Sequence, residues 1–371
     1  MKILLIAGSV NEKSGWGRHS CAILEHLIAA GAEVEVFSEE LSPDFHGTLY
    51  PLHLLSSQFP IAAFLGNIFR VRKVAKRFDV VHALDGWPFG VYGYGATLGT
   101  AKKFFINGVG TYSIAPLYSF WKGFFLRHAY GKVQKIFCIS RYTGEALLEA
   151  GVSAEKIVTV HFGVPALPLI PEHEQDIYRK NYSIFAEASP VVLTVGAIKD
   201  RKGQMETLKA IEILKRTYPR ILYVMAGSSN NKGYIADIKA YAANNGLAEH
   251  VRVVEDSNDR ELSFLYGACT VFALNSNNDP VHHHFEGFGA VILEACQFGK
   301  PSVGSRDCGI EDAIEDGVSG LLTKQRDPAD IAEKIGQVIE RLDFFSRNAA
   351  LRYGAFDWKK TVATYMSFYQ K

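Results

Sequence analysis

The first 37 residues constrain the fold of this chain more than any other segment. Residues 2–7 form an apolar run after the initial Lys2, as is typical of a strand buried on both faces of a sheet. A glycine-containing loop, an apolar-periodic helix ending at Gly31 and a second strand at 33–37 follow in order. A strand, a helix and a strand in this order imply a right-handed crossover between parallel strands. We therefore predict a Rossmann-like α/β beginning.

The same alternation occurs twice along the chain. Between the two series, residues 161–175 contain three prolines and lose periodicity, which indicates a connection between domains. At about 150 residues per domain, the 371 residues also favour two domains. Further strands are predicted at 79–84, 103–108, 135–140, 190–196, 221–227, 251–255, 271–275 and 301–305.

Composition excludes several classes of protein. With 40 Lys and Arg against 39 Asp and Glu, the chain offers no global charge for binding nucleic acid. Its five cysteines lack any CxxC spacing, which argues against a disulfide framework or a zinc site and favours a reducing cytoplasm. The N-terminal apolar run is too short for a signal peptide, and no segment reaches the ~20 apolar residues of a membrane span.

The segment with the clearest chemistry is EGFGAVILEA, residues 286–295, where a glycine loop leads directly into an apolar-periodic helix. The start of such a helix offers N–H groups and a positive dipole end, which suit a diphosphate. If the segment is helical throughout, Glu286 and Glu294 lie ~12 Å apart. This exceeds the roughly 5–9.5 Å of a glycosidase carboxyl pair, so the two glutamates should act at opposite ends of an extended ligand.

This segment resembles the E-x7-E signature of the retaining glycosyltransferases of family four, the glycosyl transferases of group 1. Other segments are also similar to that family, strongly within 190–325 and weakly within 40–130. They are residues 14–20, 135–164, 194–204, 221–227, 299–305 and 309–322.

The resemblance implies a GT-B fold, which has two Rossmann-like domains with parallel sheets facing across a cleft. An N-terminal acceptor domain, 1–168, would be completed by a C-terminal helix at 352–371, and a donor domain would span 169–351. The donor would be a nucleotide-diphosphate-sugar and the acceptor a glycan or lipid-linked sugar, in cell-surface polysaccharide synthesis. We expect a cytoplasmic protein, either free or peripheral on the inner face of the membrane. Since the chain has no Asp-x-Asp motif, we expect no metal or cofactor.

Carried over by position, the resemblance also implies roles for individual residues. Glu286 would contact sugar hydroxyls, while Arg201 and Lys202 would stabilise the departing diphosphate. Glu294 would hold the ribose, and backbone at Val253 and Val254 would read the base. Phe288 and Gly289 would offer N–H groups to phosphate, and Gly15 and Gly17 would let the N-terminal loop close on the donor. The expected donor-binding residues are Gly15, Gly17, Val253, Val254, Gly287, Phe288, Gly289, Ala290 and Glu294.

Two positions depart from the family pattern. Ala197 stands where the family often has arginine, so Arg201 has to substitute for it. The family also often has a histidine before glycine near the acceptor, whereas this chain reads GVGTY at 108–112. The sequence therefore identifies no polar residue on the acceptor side.

The sequence is compatible with more than one function. A nicotinamide dehydrogenase fits poorly, because the glycine fingerprint does not directly follow the first strand and has Ser20 in its third place. A GT-B sugar-nucleotide epimerase would differ from a transferase only in its product. A catalytically silent partner of another transferase is disfavoured by the presence of both Glu286 and Glu294.

Three further features have weaker functional interpretations. The run His282 to His284 invites a metal site, but adjacent residues rarely converge on one ion, so a polar loop is favoured. His82 and His161 are expected near strand ends, where a structural hydrogen bond is at least as good an explanation. Residues 68–77 and 118–128 mix aromatic and basic side chains, as a membrane contact would, although packed helices with a basic solvated face are favoured.

Overall fold

The computed structural model describes residues 1–11, 15–41, 49–51, 61–182, 188–228 and 230–371. The chain forms two compact units. The first comprises 1–165, 282–287 and 356–371, and the second comprises 166–281 and 288–355.

The first unit contains a parallel sheet of seven strands among the described residues, in the order β3-β2-β1-β4-β5-β6-β7. Strand β1 pairs on one side with β2, with Lys2 opposite Glu33, and on the other with β4, with Ile3 opposite Val80. The strands are β1 (Lys2–Val10), β2 (Glu33–Leu41), β3 (Leu49–Pro51), β4 (Val80–Ala83), β5 (Lys103–Gly108), β6 (Lys135–Cys138) and β7 (Ile157–Thr159).

Helices connect these strands and cover the sheet. Helix α6 begins where the Ser140 hydroxyl accepts a hydrogen bond from the Thr143 amide, as an N-cap residue does. The helices of this unit are α1 (Gly15–Ala29), α2 (Ile61–Ala75), α3 (Val91–Thr97), α4 (Thr111–Ile114), α5 (Phe120–Lys132), α6 (Arg141–Glu149) and, from the C-terminus, α15 (Trp358–Gln370).

The second unit, as far as its residues are described, contains a six-stranded parallel sheet in the order β10-β9-β8-β11-β12-β13. Its strands are β8 (Val191–Val195), β9 (Leu222–Gly227), β10 (Val251–Glu255), β11 (Val271–Leu274), β12 (Ser302–Ser305) and β13 (Gly320–Thr323). Its helices are α7 (Glu172–Asn181), α8 (Gln204–Leu214), α9 (Lys232–Asn244), α10 (Asp259–Ala268), α11 (Ala290–Gln297), α12 (Ile310–Ala313), α13 (Pro328–Glu340) and α14 (Leu342–Tyr353).

Both sheets carry the Rossmann-like architecture that the sequence predicted. Each has a separate apolar core of buried aliphatic and aromatic side chains. In each sheet the strand order reverses once, between β1 and β4 in the first unit and between β8 and β11 in the second. Ligands of open α/β sheets bind outside the carboxyl ends of the strands at such a reversal, so these two places are where a site is expected.

The units differ from the expected domains mainly at one loop. The first segment ends at Pro165 rather than 168, and the C-terminal segment begins at Phe356 rather than 352. Residues 282–287 belong to the first unit, although the sequence placed them in the donor domain. The side chain of Phe285 explains this assignment, because it is buried in the first unit's core with its ring 5.0 Å from that of Tyr142.

Candidate active site

Several of the predicted site residues follow the two strands at the reversal point of the second sheet. Arg201 and Lys202 lie in a short helical turn at 200–202, after the carboxyl end of β8. The neighbouring strand β11 leads into residues 275–289, which end at the start of α11. The amide of Asn277 donates a 2.8 Å hydrogen bond to the carbonyl of Arg201 and so ties the two loops together. Two cations and a helix start therefore follow adjacent strands at one edge of the sheet.

Close backbone contacts fix the geometry of this edge. Gly203 has φ +69°, and a Cβ placed on it would lie 1.8 Å from the carbonyl oxygen of Asn275. A Cβ on Gly227, at the end of β9, would similarly lie 2.1 Å from the carbonyl oxygen of Gly196. Since real Cβ atoms do not approach backbone this closely, only glycine fits at these two positions. The side chain of Lys202 lies beside Gly196, and its Cε would be 3.8 Å from a Cβ placed on that glycine.

The start of α11 has the properties expected of an anion site. Phe288 is buried and Gly289 adopts a left-handed conformation with φ +83°, which turns the chain into the helix at Ala290. The Gly289 position provides no side-chain cap, so the first amides of the helix can bind a ligand. The helix dipole adds a partial positive charge at the same place.

Glu294 lies one turn into α11 and is held in position by a tyrosine. Its carboxylate is half-buried and accepts a 2.7 Å hydrogen bond from the hydroxyl of Tyr266. Tyr266 is fully buried, and its ring stacks on Phe298 at 5.8 Å. Glu294 is therefore not an ordinary solvated carboxylate of a helix surface. The sequence analysis missed Tyr266, because nothing in its local pattern indicates a partner 28 residues away.

Glu286 does not share a unit with Glu294. It is half-buried in the segment 282–287 that belongs to the first unit. A Cβ on Gly287 would lie 2.5 Å from the carbonyl oxygen of Val109, which shows how tightly this segment packs on the loop after β5. The E-x7-E signature is thus divided between the two units after Gly287, whereas the sequence placed both glutamates in the donor domain.

The remaining predicted positions lie on two other elements. Val253 and Val254 are in β10, which forms an edge of the second sheet within the described part of the chain. Gly15 and Gly17 open α1 after β1, and a Cβ on Gly17 would lie 2.0 Å from the carbonyl oxygen of Asn11. A Cβ on Gly15 would have no neighbour within 4 Å among the described residues. Ser14, the first residue of the predicted glycine loop, is outside the described residues.

Asn277 is a candidate site residue that the sequence analysis did not identify. Its side chain is only 1% exposed, and among the described residues neither its amide nitrogen nor its amide oxygen has a hydrogen-bond partner. A buried, unsatisfied amide is costly and usually has a functional explanation. A signal was present, because the apolar strand VFAL runs directly into the polar residues Asn275 to Asn278.

Asp85 is the second residue that was missed, and it lies at the reversal point of the first sheet, just beyond β4. Its carboxylate accepts hydrogen bonds from the Gly86 amide at 2.6 Å and the Ser113 hydroxyl at 2.9 Å. Burial raises the pKa of this carboxyl from 3.8 to about 7, despite the opposing effect of these two bonds. A carboxyl that exchanges its proton near neutral pH at a reversal point is a strong candidate for a functional group.

Two family profiles match the chain and together extend from residue 13 to residue 354. The profile described as Glycosyltransferase Family 4 matches residues 13–166, and the one described as Glycosyl transferases group 1 matches residues 177–354. The chain belongs to the family 4, group 1 glycosyltransferases. The predicted family membership is therefore confirmed.

Curated members of this family match part of the chain. The D-inositol 3-phosphate glycosyltransferase of Geodermatophilus obscurus is 33% identical over 190 residues, which are 50% of this chain and 41% of that protein. The enzyme of the same name from Thermobifida fusca is 27% identical over 232 residues, 59% of this chain and 51% of that protein. The chain thus spans about half the length, or less, of these relatives.

Two solved structures match the fold over nearly the whole chain. A glycosyltransferase from Rickettsia africae superposes with a TM-score of 0.81 and 18% identity, covering 100% of this chain and 97% of its own. HepE from Anabaena, in complex with UDP and glucose, superposes with a TM-score of 0.79 and 20% sequence identity, and the match covers 99% of each chain. At these identities the likeness shows the GT-B fold.

In this family 4 chain, His82 and the run His282 to His284 contact neighbouring side chains of the fold. His82 is buried, with Nδ1 2.5 Å from the hydroxyl of Tyr369 in α15 and Nε2 2.9 Å from the Asn107 side chain. Burial lowers its pKa to about 3, so it stays neutral. The His283 ring stacks on Tyr118 at 3.5 Å, while those of His282 and His284 lie 5.8 Å apart. Among the described residues no cluster of three metal-ligating side chains occurs.

The structure also shows where His161 and the two mixed aromatic and basic stretches lie. His161 accepts a 2.8 Å hydrogen bond at its carbonyl from Thr361 of α15, and its ring lies beside Phe356. The mixed aromatic and basic stretches lie on α2 and on the surface around α5. Within the parts of the chain that the structure describes, no helix is long and apolar enough to cross a membrane.

Proposed function

We propose that the chain is a retaining glycosyltransferase that moves a sugar from a nucleotide-diphosphate-sugar to a glycan or lipid-linked acceptor, in the synthesis of cell-surface polysaccharide. The observation that carries this proposal is the edge of the second sheet, where Arg201 and Lys202 follow β8, the start of α11 comes after the adjacent strand β11, and the Asn277 to Arg201 hydrogen bond joins the loops after the two strands. Such an arrangement suits the diphosphate of the donor. Glu294, fixed by Tyr266, would accept hydrogen bonds from the ribose hydroxyls.

A uridine nucleotide is the first donor to test. HepE, which has the same fold, was solved with UDP, with UDP and glucose and with UDP-glucose. The backbone of β10 at Val253 and Val254 is the element proposed to read the base. For the acceptor, the names of the relatives include inositol 3-phosphate, which is a soluble compound to include in a first screen.

The proposed chemistry is a substitution on one face of the sugar. The bond between the anomeric carbon and the diphosphate oxygen breaks while the acceptor oxygen bonds to that carbon from the same side. The acceptor proton passes to the departing diphosphate, whose growing negative charge Arg201 and Lys202 stabilise without a metal ion. Glu286 would hold sugar hydroxyls during this step.

Asp85 is the proposed acceptor-side group in the first unit. With a pKa of about 7 it is partly ionised near neutrality and can accept a hydrogen bond from an acceptor hydroxyl. A lipid-linked acceptor would further require the protein to work peripherally at the inner face of a membrane.

The first experiment is a thermal-shift panel of UDP, GDP, ADP, TDP, their sugar conjugates and NAD, on wild type and Glu294→Gln. A ligand at 100 times its Kd should stabilise the protein by about 2.7 kcal/mol. A shift with one nucleoside diphosphate, reduced in the variant, supports the donor site. A shift with NAD alone would indicate a dehydrogenase, and no shift a silent partner.

Product analysis then separates transfer from epimerisation. Incubation of the preferred sugar nucleotide with acceptors should release nucleoside diphosphate and form a glycoside with the donor's anomeric configuration. An epimeric sugar nucleotide formed without acceptor would support the epimerase instead.

A further inference from the structure

Helix α5 of the first unit is apolar on two opposite sides. One side is buried in the unit's core and carries Leu126, Ala129 and Tyr130. The other side carries Phe120, Trp121, Phe124 and Phe125, which are 83%, 71%, 56% and 39% exposed. Their spacing places these four rings along one face, as residues i, i+1, i+4 and i+5 of a helix do. We call these four residues the aromatic face.

Single exposed apolar residues are common on soluble proteins, but contiguous patches usually mark a binding surface. The rings of Phe120 and Trp121 have centroids 5.1 Å apart, and those of Phe124 and Phe125 are 5.4 Å apart. The patch continues onto α2 through Phe64, whose ring lies 6.4 Å from that of Phe125. The same helix exposes Leu65 and Phe69, at 46% and 69%.

The patch sits on a rigid support. A Cβ on Gly123 would lie 2.5 Å from the carbonyl oxygen of Leu117, so α5 packs directly against the turn before it. The guanidinium of Arg127 donates hydrogen bonds to the carbonyls of Leu117 and Ala150. The aromatic rings are therefore presented by a helix that is fixed to the core.

Charge on the two helices that carry the patch is strongly one-sided. Helices α2 and α5 each contain three Lys or Arg residues, and neither contains an acidic residue. Lys122 lies within the patch itself, with its ammonium 5.9 Å from the Trp87 ring.

We propose that the aromatic face docks onto an anionic phospholipid bilayer. Aromatic rings flanked by lysine and arginine suit the boundary between acyl chains and negative headgroups. The 13 residues of α5 reach only ~20 Å, so the helix lies in the plane of the interface instead of spanning it. A second copy of this chain is a poorer occupant, because the basic helices α2 and α5 of the two copies would repel each other.

The position of the patch gives this docking a consequence for the proposed function. Trp87, which stacks on Phe64 at 5.8 Å, is two residues from Asp85. The aromatic face therefore continues towards the proposed acceptor-side carboxyl. If the proposed transfer is correct, a lipid-linked acceptor could reach Asp85 along the membrane surface, but the docking itself does not depend on transfer.

Vesicle sedimentation tests the proposal directly. We expect the protein to sediment with vesicles of phosphatidylglycerol and phosphatidylethanolamine, much less with pure phosphatidylcholine, and less as salt rises. Combined Phe120→Ser, Trp121→Ser and Phe124→Ser should lower the partition coefficient on the order of 100-fold. The matched control is Leu169→Ser, Ile177→Ser and Leu351→Ser, which alters three exposed apolar residues of the second unit and should leave partitioning unchanged.

Fluorescence reports where the contact lies. The tryptophan emission of wild type should shift to the blue on adding anionic vesicles, and Trp121→Phe should lose most of that shift. Equal sedimentation of wild type and both triple variants, each with native circular dichroism, would overturn the proposal. So would a wild-type dimer in analytical ultracentrifugation that the aromatic-face variant converts to a monomer, since a second copy would then cover the patch.

Discussion

The hydroxyl of Tyr266 donates a 2.7 Å hydrogen bond to the carboxylate of Glu294, and the two residues come from different helices, α10 and α11. Tyr266 is fully buried, so it cannot move without disturbing the core between these helices. A carboxylate fixed in this way needs little reordering when a ligand binds, and pre-organisation of this kind favours affinity.

We expect Tyr266→Phe to weaken binding of the preferred nucleoside diphosphate by roughly three- to tenfold, because the lost hydrogen bond is worth about 1 kcal/mol. Isothermal titration calorimetry measures this directly. Tyr241→Phe is the matched control, since the Tyr241 hydroxyl donates to Glu212 elsewhere in the same unit. Equal losses of affinity in both variants would mean that Tyr266 has no specific role in the site.

The side chains of Arg201 and Lys202 should bind the diphosphate of the ligand and not its nucleoside. Arg201→Gln and Lys202→Met should each weaken binding of the diphosphate by roughly 10- to 100-fold, the value of about 1.5–3 kcal/mol for a hydrogen bond to a charged group. Binding of the free nucleoside should remain unchanged in both variants.

The comparison variants for this prediction are Arg216→Gln and Lys209→Met, which remove exposed cations from the same unit. They should leave both affinities as in wild type. Glu294→Gln should instead weaken diphosphate and nucleoside alike, because its proposed partner is the ribose. A nucleoside affinity that falls with Arg201→Gln would contradict the assignment of that residue to the diphosphate.

Gly203 should tolerate no side chain. Its φ is +69°, and a Cβ at this position would lie 1.8 Å from the Asn275 carbonyl oxygen, so steric overlap adds to backbone strain. Gly203→Ala should therefore lower the free energy of unfolding by roughly 3 kcal/mol or more and abolish nucleotide binding. Gly246→Ala provides the control, because Gly246 has a similar φ of +65° but its nearest neighbour is the end of a lysine chain at 3.8 Å.

Urea denaturation distinguishes the two glycine variants. Gly246→Ala should cost only about 1 kcal/mol, the strain of a left-handed alanine. If the two variants lost the same free energy, the close contact between the loops after β8 and β11 would not be important for stability.

Asp85 should make stability depend on pH between about 4 and 7. Its pKa is 3.8 when unperturbed and about 7 in the folded protein, so in this range the folded state holds a proton that the unfolded state has lost. The stability that this group contributes is therefore complete below pH 4, falls as the pH rises and is lost above pH 7. The free energy of unfolding should fall by at most roughly 4 kcal/mol over this range.

Asp85→Asn should flatten this part of the stability curve, because an amide can still accept the bonds from Gly86 and Ser113 but does not titrate. Ser113→Ala should extend the fall to higher pH, since the lost hydrogen bond lowers the carboxyl's pKa in wild type. Denaturation curves at about pH 4 to 9 provide the measurement. Parallel pH profiles for wild type and Asp85→Asn would show that this carboxyl is not the group that titrates.

The sequence alone determined the Rossmann-like architecture and the glycine loop that precedes α11. Periodicity of apolar residues indicates whether a segment is a strand or a helix, so helix α11 and all strands except the short β3, β7 and β13 could be predicted. The glycines and cations at 201–203 and 286–290 were also identifiable, because backbone approach and phosphate binding require particular residue types at short spacing. These features depend on local chemistry.

Only the tertiary structure decided which distant residues meet. The partnership of Tyr266 with Glu294 and the position of Asp85 beside Ser113 depend on how separate helices and loops pack. The same is true of Phe285, whose burial in the first unit's core assigns the segment with Glu286 to that unit, whereas Glu294 belongs to the second. Periodicity shows that a side chain is buried but not against which element, since many packings satisfy one apolar pattern, and the contacts of the folded chain select among them.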